Sequence, residues 1–266
     1  MSNAMDLFRL DGKKALVTGG GRGLGYFAAE ALAEAGADVA ICGRDVSGKL
    51  EEAVSRLRET GRDCFALKCD VSVEDDVVEV ARQVRERWGR CDVLVNNAGI
   101  GGMFPSAQLT VEAWDEMMAV NLRGTFLCAR EIGKMMIEQG SGSIINVSSE
   151  NGQVGFSTGM APYATSKIGA VGLTRSLAVE WGRHGIRVNA ILPGNMEEGM
   201  MEAMKDRESP FFKMAGETLL RLVPLGSFGT GDDIKGAIVY LASPAGRYVS
   251  GAMLVVDGGF TINAGL

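Results

Sequence analysis

Apolar and polar positions along this chain follow two rhythms. Short runs rich in Val, Ile and Leu predict about seven strands, at Lys14–Thr18, Asp38–Cys42, Cys64–Lys68, Asp92–Asn96, Ser143–Ser148, Arg187–Leu192 and Met253–Val256. Between them, helical spacing predicts helices near Leu24–Ala35, Ser47–Thr60, Glu74–Trp88, Val111–Gln139, Ala161–Gly182 and Asp232–Ala242. Strictly alternating strands and helices imply βαβ units with right-handed crossovers. The expected fold class is therefore α/β, a doubly wound, seven-stranded parallel sheet with helices on both faces. Ligands of such sheets bind beyond the carboxyl ends of the strands, so chemistry is sought in the loops that follow them.

No linker, charge block, low-complexity tract or fixed repeat divides the 266 residues, which predicts a single domain over 5–266. Residues 1–4, Met1-Ser2-Asn3-Ala4, read as an expression scar ahead of Met5. A net charge of −6 offers no basic field for a nucleic-acid backbone, so a small-molecule substrate is the expected partner. No apolar run reaches the roughly 20 residues that cross a bilayer, and no signal pattern opens the chain, so no membrane partner and a cytoplasmic location are expected. Cys42, Cys64, Cys69, Cys91 and Cys128 form no Cys-x-x-Cys and read as buried free thiols. With His184 the only histidine, a Ser-His-Asp triad would have to use it, and no metal site is expected.

Directly after the first predicted strand stands Thr18-Gly19-Gly20-Gly21-Arg22-Gly23-Leu24-Gly25, with a helix opening behind it. Glycines there permit a tight turn and let backbone N–H groups approach a pyrophosphate at a helix amino terminus. A plain loop is the competing reading; the position in a βαβ unit favours a Rossmann-type dinucleotide site. An acidic residue that would take the adenosine ribose hydroxyls is replaced by Gly43, and Arg44 follows. Arg44 and Arg22 suit a 2′-phosphate, which predicts NADP(H) in preference to NAD(H), unless both are merely solvated. Asp70-Val71, after the third strand, is placed beside the adenine.

In Tyr163-Ala164-Thr165-Ser166-Lys167 the aromatic ring and the amine share one helical face, about 6 Å apart along the axis. A neighbouring ammonium lowers the pKa of a phenol and makes it a usable general acid or base, which is the expectation for Tyr163. Ser148-Ser149 ends the fifth strand, Asn96-Asn97-Ala98-Gly99 ends the fourth, and Val120-Asn121-Leu122-Arg123-Gly124 lies between them. With these motifs in this order, the chain from about Leu10 to Phe260 resembles the short-chain dehydrogenase/reductase family.

The resemblance implies a carbonyl or alcohol oxidoreductase with Tyr163 as proton donor, Ser149 positioning the substrate oxygen, Lys167 also binding the nicotinamide ribose, and Asn121 supporting a water and lysine proton relay. It implies that Asn97, Ala98 and Gly99 border the cofactor and that Pro193-Gly194 approaches the nicotinamide. It also implies a homo-oligomer, tetramer or dimer, packed through Val111–Gln139 and Ala161–Gly182. Loss of the reaction would leave a dinucleotide-sensing binding protein, but the tyrosine and lysine are both present. One extra residue between Ser149 and Tyr163 leaves Ser148 and Ser149 both candidates for the inward-facing hydroxyl. Glu198 replaces a threonine common in the family, and Gly231-Asp232 replaces Pro-Glu.

By the same resemblance, Asn195 to Leu222 forms a substrate lid, rich in Met and Phe at Met196, Met200, Met201, Met204, Phe211, Phe212 and Met214. A pair of ordinary amphipathic helices fits that segment equally well. Glu197 and Glu198 near the mouth are expected to repel anionic substrates. Neither Glu138–Ser143 nor the Gly182-Arg183-His184 corner supplies the basic pair that would dock an acidic carrier protein. A sugar-derived or polyol ketone of the gluconate 5-dehydrogenase type fits as well as a 3-oxoacyl compound.

Overall fold

The computed structural model describes residues 3–46, 48–155, 159–198, 213 and 216–263. Its strands are β1 (Lys14–Thr18), β2 (Asp38–Gly43), β3 (Cys64–Lys68), β4 (Val93–Asn96), β5 (Gly142–Val147), β6 (Ile186–Pro193) and β7 (Met253–Val256). They form one sheet in the order β3-β2-β1-β4-β5-β6-β7, and every pairing is parallel. The helices are α1 (Gly23–Glu34), α2 (Lys49–Arg58), α3 (Glu74–Trp88), α4 (Val111–Met118), α5 (Gly124–Gln139), α6 (Ala161–Trp181), α7 (Glu217–Leu222) and α8 (Gly231–Ala242).

Alternation along β1 shows how the two faces are filled. Ala15 and Val17 join Leu32 of α1, Val54 of α2 and Ile238 of α8, while Leu16 joins Val80 of α3, Ile132 of α5 and Trp181 of α6. Both layers are dry at their centres, which is why the central strands read as continuous apolar runs. The sheet order reverses between β1 and β4, and Thr18 holds that switch point together. Its Oγ1 accepts the backbone N–H groups of Asn97 and Ala98, both at 3.0 Å.

Two local features depart from the expected elements. The stretch Val111–Gln139 is not one regular helix, because Ala119–Arg123 between α4 and α5 forms a π-turn in which the Gly124 N–H reaches the Ala119 carbonyl. The Thr125 hydroxyl donates to the Asn121 carbonyl at 2.8 Å and supports the widened turn. The Gly231-Asp232 substitution also has a packing reason. A Cβ on Gly231 would lie 2.1 Å from the Phe27 ring, so only glycine lets α8 sit this close to α1. Thr230 caps α8 in a reciprocal box with Asp233.

Candidate active site

The carboxyl ends of β1, β2, β4, β5 and β6 open into one cavity of about 680 Å³, a size that suits a dinucleotide and a small substrate. Gly19, Gly21, Arg22, Gly23 and Leu24 form its floor at the amino terminus of α1, whose first turn holds no acidic residue. Peptide N–H groups there favour an anion. A Cβ on Gly25 would lie 2.2 Å from the Gly19 carbonyl, so the third glycine of the turn lets helix and strand pack closely. Thr18 and Gly25 thus lie behind the cavity wall and shape it, rather than facing it.

Arg44, at the end of β2, shares the cavity with Arg22, and Lys49 at the start of α2 adds a third cation beside the acidic Asp45. Asp70 and Val71 line the same end. The Asp70 carboxylate accepts both the N–H and the hydroxyl of Ser72, which holds its pKa below the usual range. Asn97, Ala98 and Gly99 continue the wall after β4, and Pro193 and Gly194 close it after β6. A glycine cradle at one end, a guanidinium pair near the second strand and a polar chamber at the other end fit a phosphorylated dinucleotide.

That chamber holds Ser149, Tyr163 and Lys167, exposed by only 6%, 5% and 5%. Tyr163 and Lys167 are one turn apart on α6, with the Lys167 Nζ 5.6 Å from the centre of the Tyr163 ring. Ser149 stands in extended backbone ahead of the turn Glu150–Gly152, and its side chain is close enough to the Tyr163 phenol to lower its pKa. Ser148 instead donates its hydroxyl to the Lys167 carbonyl at 2.8 Å, so it ties β5 to α6 and leaves Ser149 as the serine that faces the phenol.

The electrostatics reverse one expectation. Burial pushes the Tyr163 phenol up to about 12; the Ser149 hydrogen bond pulls it back and the nearby Glu150 adds to the rise. Burial also pulls Lys167 down to about 8. The amine donates to the Val147 carbonyl at 2.9 Å, and its charge does not outweigh the desolvation of the phenol. Within the protein alone, Tyr163 is therefore held in its neutral, proton-bearing form at neutral pH.

Asn121, in the π-turn, is 1% exposed and sits behind the wall. Its Oδ1 accepts the Ile100 N–H at 2.8 Å and its Nδ2 donates to the Ile100 carbonyl at 2.9 Å, which fixes the loop after β4. A Cβ on Gly99 would lie 3.3 Å from the Asn121 Oδ1 and 3.5 Å from the Lys167 Nζ, so both groups press on the same glycine. Of the lid segment, Met196 and Glu198 line the cavity, while residues 199–212, 214 and 215, with Met200, Met201, Met204, Phe211, Phe212 and Met214, lie outside the described residues. Sequence reasoning missed Lys49, Cys42 and Cys69 on the wall. Lys49 was findable as a cation closely following Arg44; the thiols carried no signal beyond apolar strand positions.

A family model described as enoyl-(acyl carrier protein) reductase matches residues 19–261. D-threitol dehydrogenase of Mycolicibacterium smegmatis is 40% identical over 96% of this chain and 95% of that protein. The 3-oxoacyl-[acyl-carrier-protein] reductase of Staphylococcus aureus is 38% identical over 93% of this chain and 97% of that protein. The crystal structure of a gluconate 5-dehydrogenase from Burkholderia cenocepacia in complex with NADP and tartrate superposes with a TM-score of 0.90 at 36% identity, covering 98% of this chain and 99% of that one. With a seven-stranded parallel sheet, a glycine cradle at its switch point and relatives that align over nearly their whole length, the chain belongs to the short-chain dehydrogenase/reductase family.

Proposed function

We propose that the protein is an NADP(H)-dependent oxidoreductase acting on a carbonyl or secondary alcohol, a sugar-derived or polyol ketone or a 3-oxoacyl compound. One observation carries this reading: Ser149, Tyr163 and Lys167 stand on the wall of the same cavity as the glycine cradle. Bound NADP(H) supplies or takes up the hydride. Ser149 holds the substrate oxygen beside the phenol, and Tyr163 gives its proton to that oxygen during reduction. A phenol kept neutral by burial is in the correct form for that step. Lys167 holds the nicotinamide ribose, and Asn121 keeps the adjoining loop and the lysine in register. Absorbance of NADPH at its reduced band, followed with a panel of ketones, ketoses and acyl thioesters, tests the reading; no consumption with any carbonyl rejects it.

The preference for NADP(H) rests on Arg22 and Arg44 beside the position where an acidic residue is replaced by Gly43. Relatives support it through the NADP complex of the gluconate 5-dehydrogenase. Arg44→Ala should weaken NADPH by about tenfold or more and NADH by no more than about twofold, since a charge-assisted hydrogen bond to phosphate exists only in the former. Equal losses in a fluorescence titration would remove the phosphate assignment.

The same reading includes a cytoplasmic homo-oligomer. Phe126 on α5 and Ile168 and Val179 on α6 are exposed apolar side chains, Val179 at 86%, and helix faces of this kind are buried between subunits. Light scattering should return a dimer or tetramer; a monomer at micromolar concentration contradicts it.

A further inference from the structure

Three cations stand on the cavity wall where β1 and β2 end, and the preference for NADP(H) rests so far on two of them. Arg22 stands at the start of α1, Arg44 follows β2, and Lys49 opens α2. Leu50 fixes where that lysine sits. It is buried, and a Cβ on Gly21 would lie 3.2 Å from its Cγ while a Cβ on Gly43 would lie 3.1 Å from its Cδ1. Gly21 precedes Arg22, and Gly43 precedes Arg44. The first turn of α2 is therefore seated against both backbone segments that carry the arginines, and Lys49, the residue before Leu50, belongs to the same corner of the cavity.

The charges of this corner decide what Lys49 can do. Asp45 and Asp70 line the same end of the wall. Arg44 is close enough to Asp70 to lower the pKa of its carboxyl, so part of the guanidinium's field is already answered by an acid of the protein. Asp45 would repel a phosphate, whereas it would accept hydrogen bonds from the free ribose hydroxyls of NAD(H). Two arginines set against two carboxylates leave no net charge. Among the described residues of this end, Lys49 alone makes the balance positive. Its ammonium is carried on an exposed side chain at the mouth.

We propose that Lys49 is the residue that decides between NADP(H) and NAD(H), as the ligand of the 2′-phosphate that brings the net positive charge the two arginines do not supply. This rests on the NADP(H) reading and deepens it. A phosphate monoester carries between one and two negative charges near neutrality, and a lysine meets it as a point charge on a long stem. Arginine at the end of β2 orients the phosphate through its planar fork, while the lysine on α2 tips the field of the corner from neutral to attractive.

Calorimetric titration of the full chain with 2′,5′-ADP and with 5′-AMP reads this corner without the nicotinamide and without turnover. The wild type should bind 2′,5′-ADP more tightly than 5′-AMP by about tenfold or more. Lys49→Gln should weaken 2′,5′-ADP by about tenfold while 5′-AMP stays within about twofold, and Lys49→Arg, which keeps the charge, should restore most of the difference. Fluorescence titration should show the same selective loss of NADPH against NADH. Equal losses of both nucleotides in Lys49→Gln would mean that the substitution disturbed α2, and a variant that keeps the wild-type preference would mean that the arginines suffice; either result overturns the role of Lys49. The second leaves the NADP(H) reading standing on Arg22 and Arg44. A wild type that binds the two nucleotides equally removes that reading, and the role of Lys49 with it.

Discussion

Tyr163→Phe is expected to lower kcat by about 10³-fold while NADPH affinity stays within about twofold. The phenol is 5% exposed and lies beside Ser149, so phenylalanine keeps the ring packing and removes only the hydroxyl that gives the proton. General acid catalysis is worth roughly 10² to 10⁴ in rate, and no other acidic side chain among the described residues shares the Ser149 hydroxyl with the cavity wall. Single-turnover kinetics with NADPH separate the chemical step from binding. Retention of most of kcat would require another acid, and a parallel loss of NADPH affinity would mean that the substitution disturbed the pocket instead.

A large effect on stability is expected from Glu150→Gln, and its sign depends on pH. The folded carboxyl titrates at about 8, above the ordinary value of 4.5, because burial and the neighbouring Asp257 disfavour its charge. A group with a raised folded pKa binds its proton more tightly in the native state. Its favourable contribution is present below about pH 4.5 and declines as pH rises towards 8. Glutamine has no proton to lose. Relative to wild type, Glu150→Gln should therefore gain stability steadily between about pH 5 and pH 8, by a few kcal/mol in all, about 3, or roughly 5–10 °C in Tm. Lys167 titrates near 8 in the opposite sense, and both proteins share it, so the difference between them isolates Glu150. Thermal melts at fixed ionic strength across this range check the slope. Parallel curves for the two proteins would show that Glu150 ionises freely in the native state.

Strands proved the most legible elements, because a chain buried on both faces must read as an apolar run. The predicted β1, β3 and β7 match at both ends, and the other strands shift by a residue at one or both ends. Asp92, for instance, falls one residue ahead of β4, although its N–H still donates to the Lys14 carbonyl at 2.8 Å and its carbonyl accepts the Ser143 N–H at 2.9 Å. Glycine spacing and Tyr163-x-x-x-Lys167 were likewise visible, since a cradle and a shared helical face depend on residue type and period alone. What a sequence does not carry is desolvation. Proximity of Lys167 suggested a lowered phenol pKa, yet burial pushes the phenol up and the amine down, so desolvation outweighs the attraction between them. The choice between Ser148 and Ser149 also needed coordinates, because it turns on which hydroxyl the Lys167 carbonyl captures. Glu150 gave no signal in the sequence beyond an acid after a serine; its significance comes from the oxygen that burial leaves unmatched.

The π-turn at Ala119–Arg123 sets a phase for everything that follows it. Its Gly124 N–H skips one carbonyl more than an α-helix would, so the turn accommodates an extra residue and resets the angular position of α5 by about 100°. Excising a single residue there would straighten the rod, yet it would also swing Leu127, Ile132 and Met136 away from the sheet and carry Asn121 off the Ile100 backbone. The helix therefore cannot be regularised without unseating both the apolar seam behind β4 and the loop after β4 that borders the cavity.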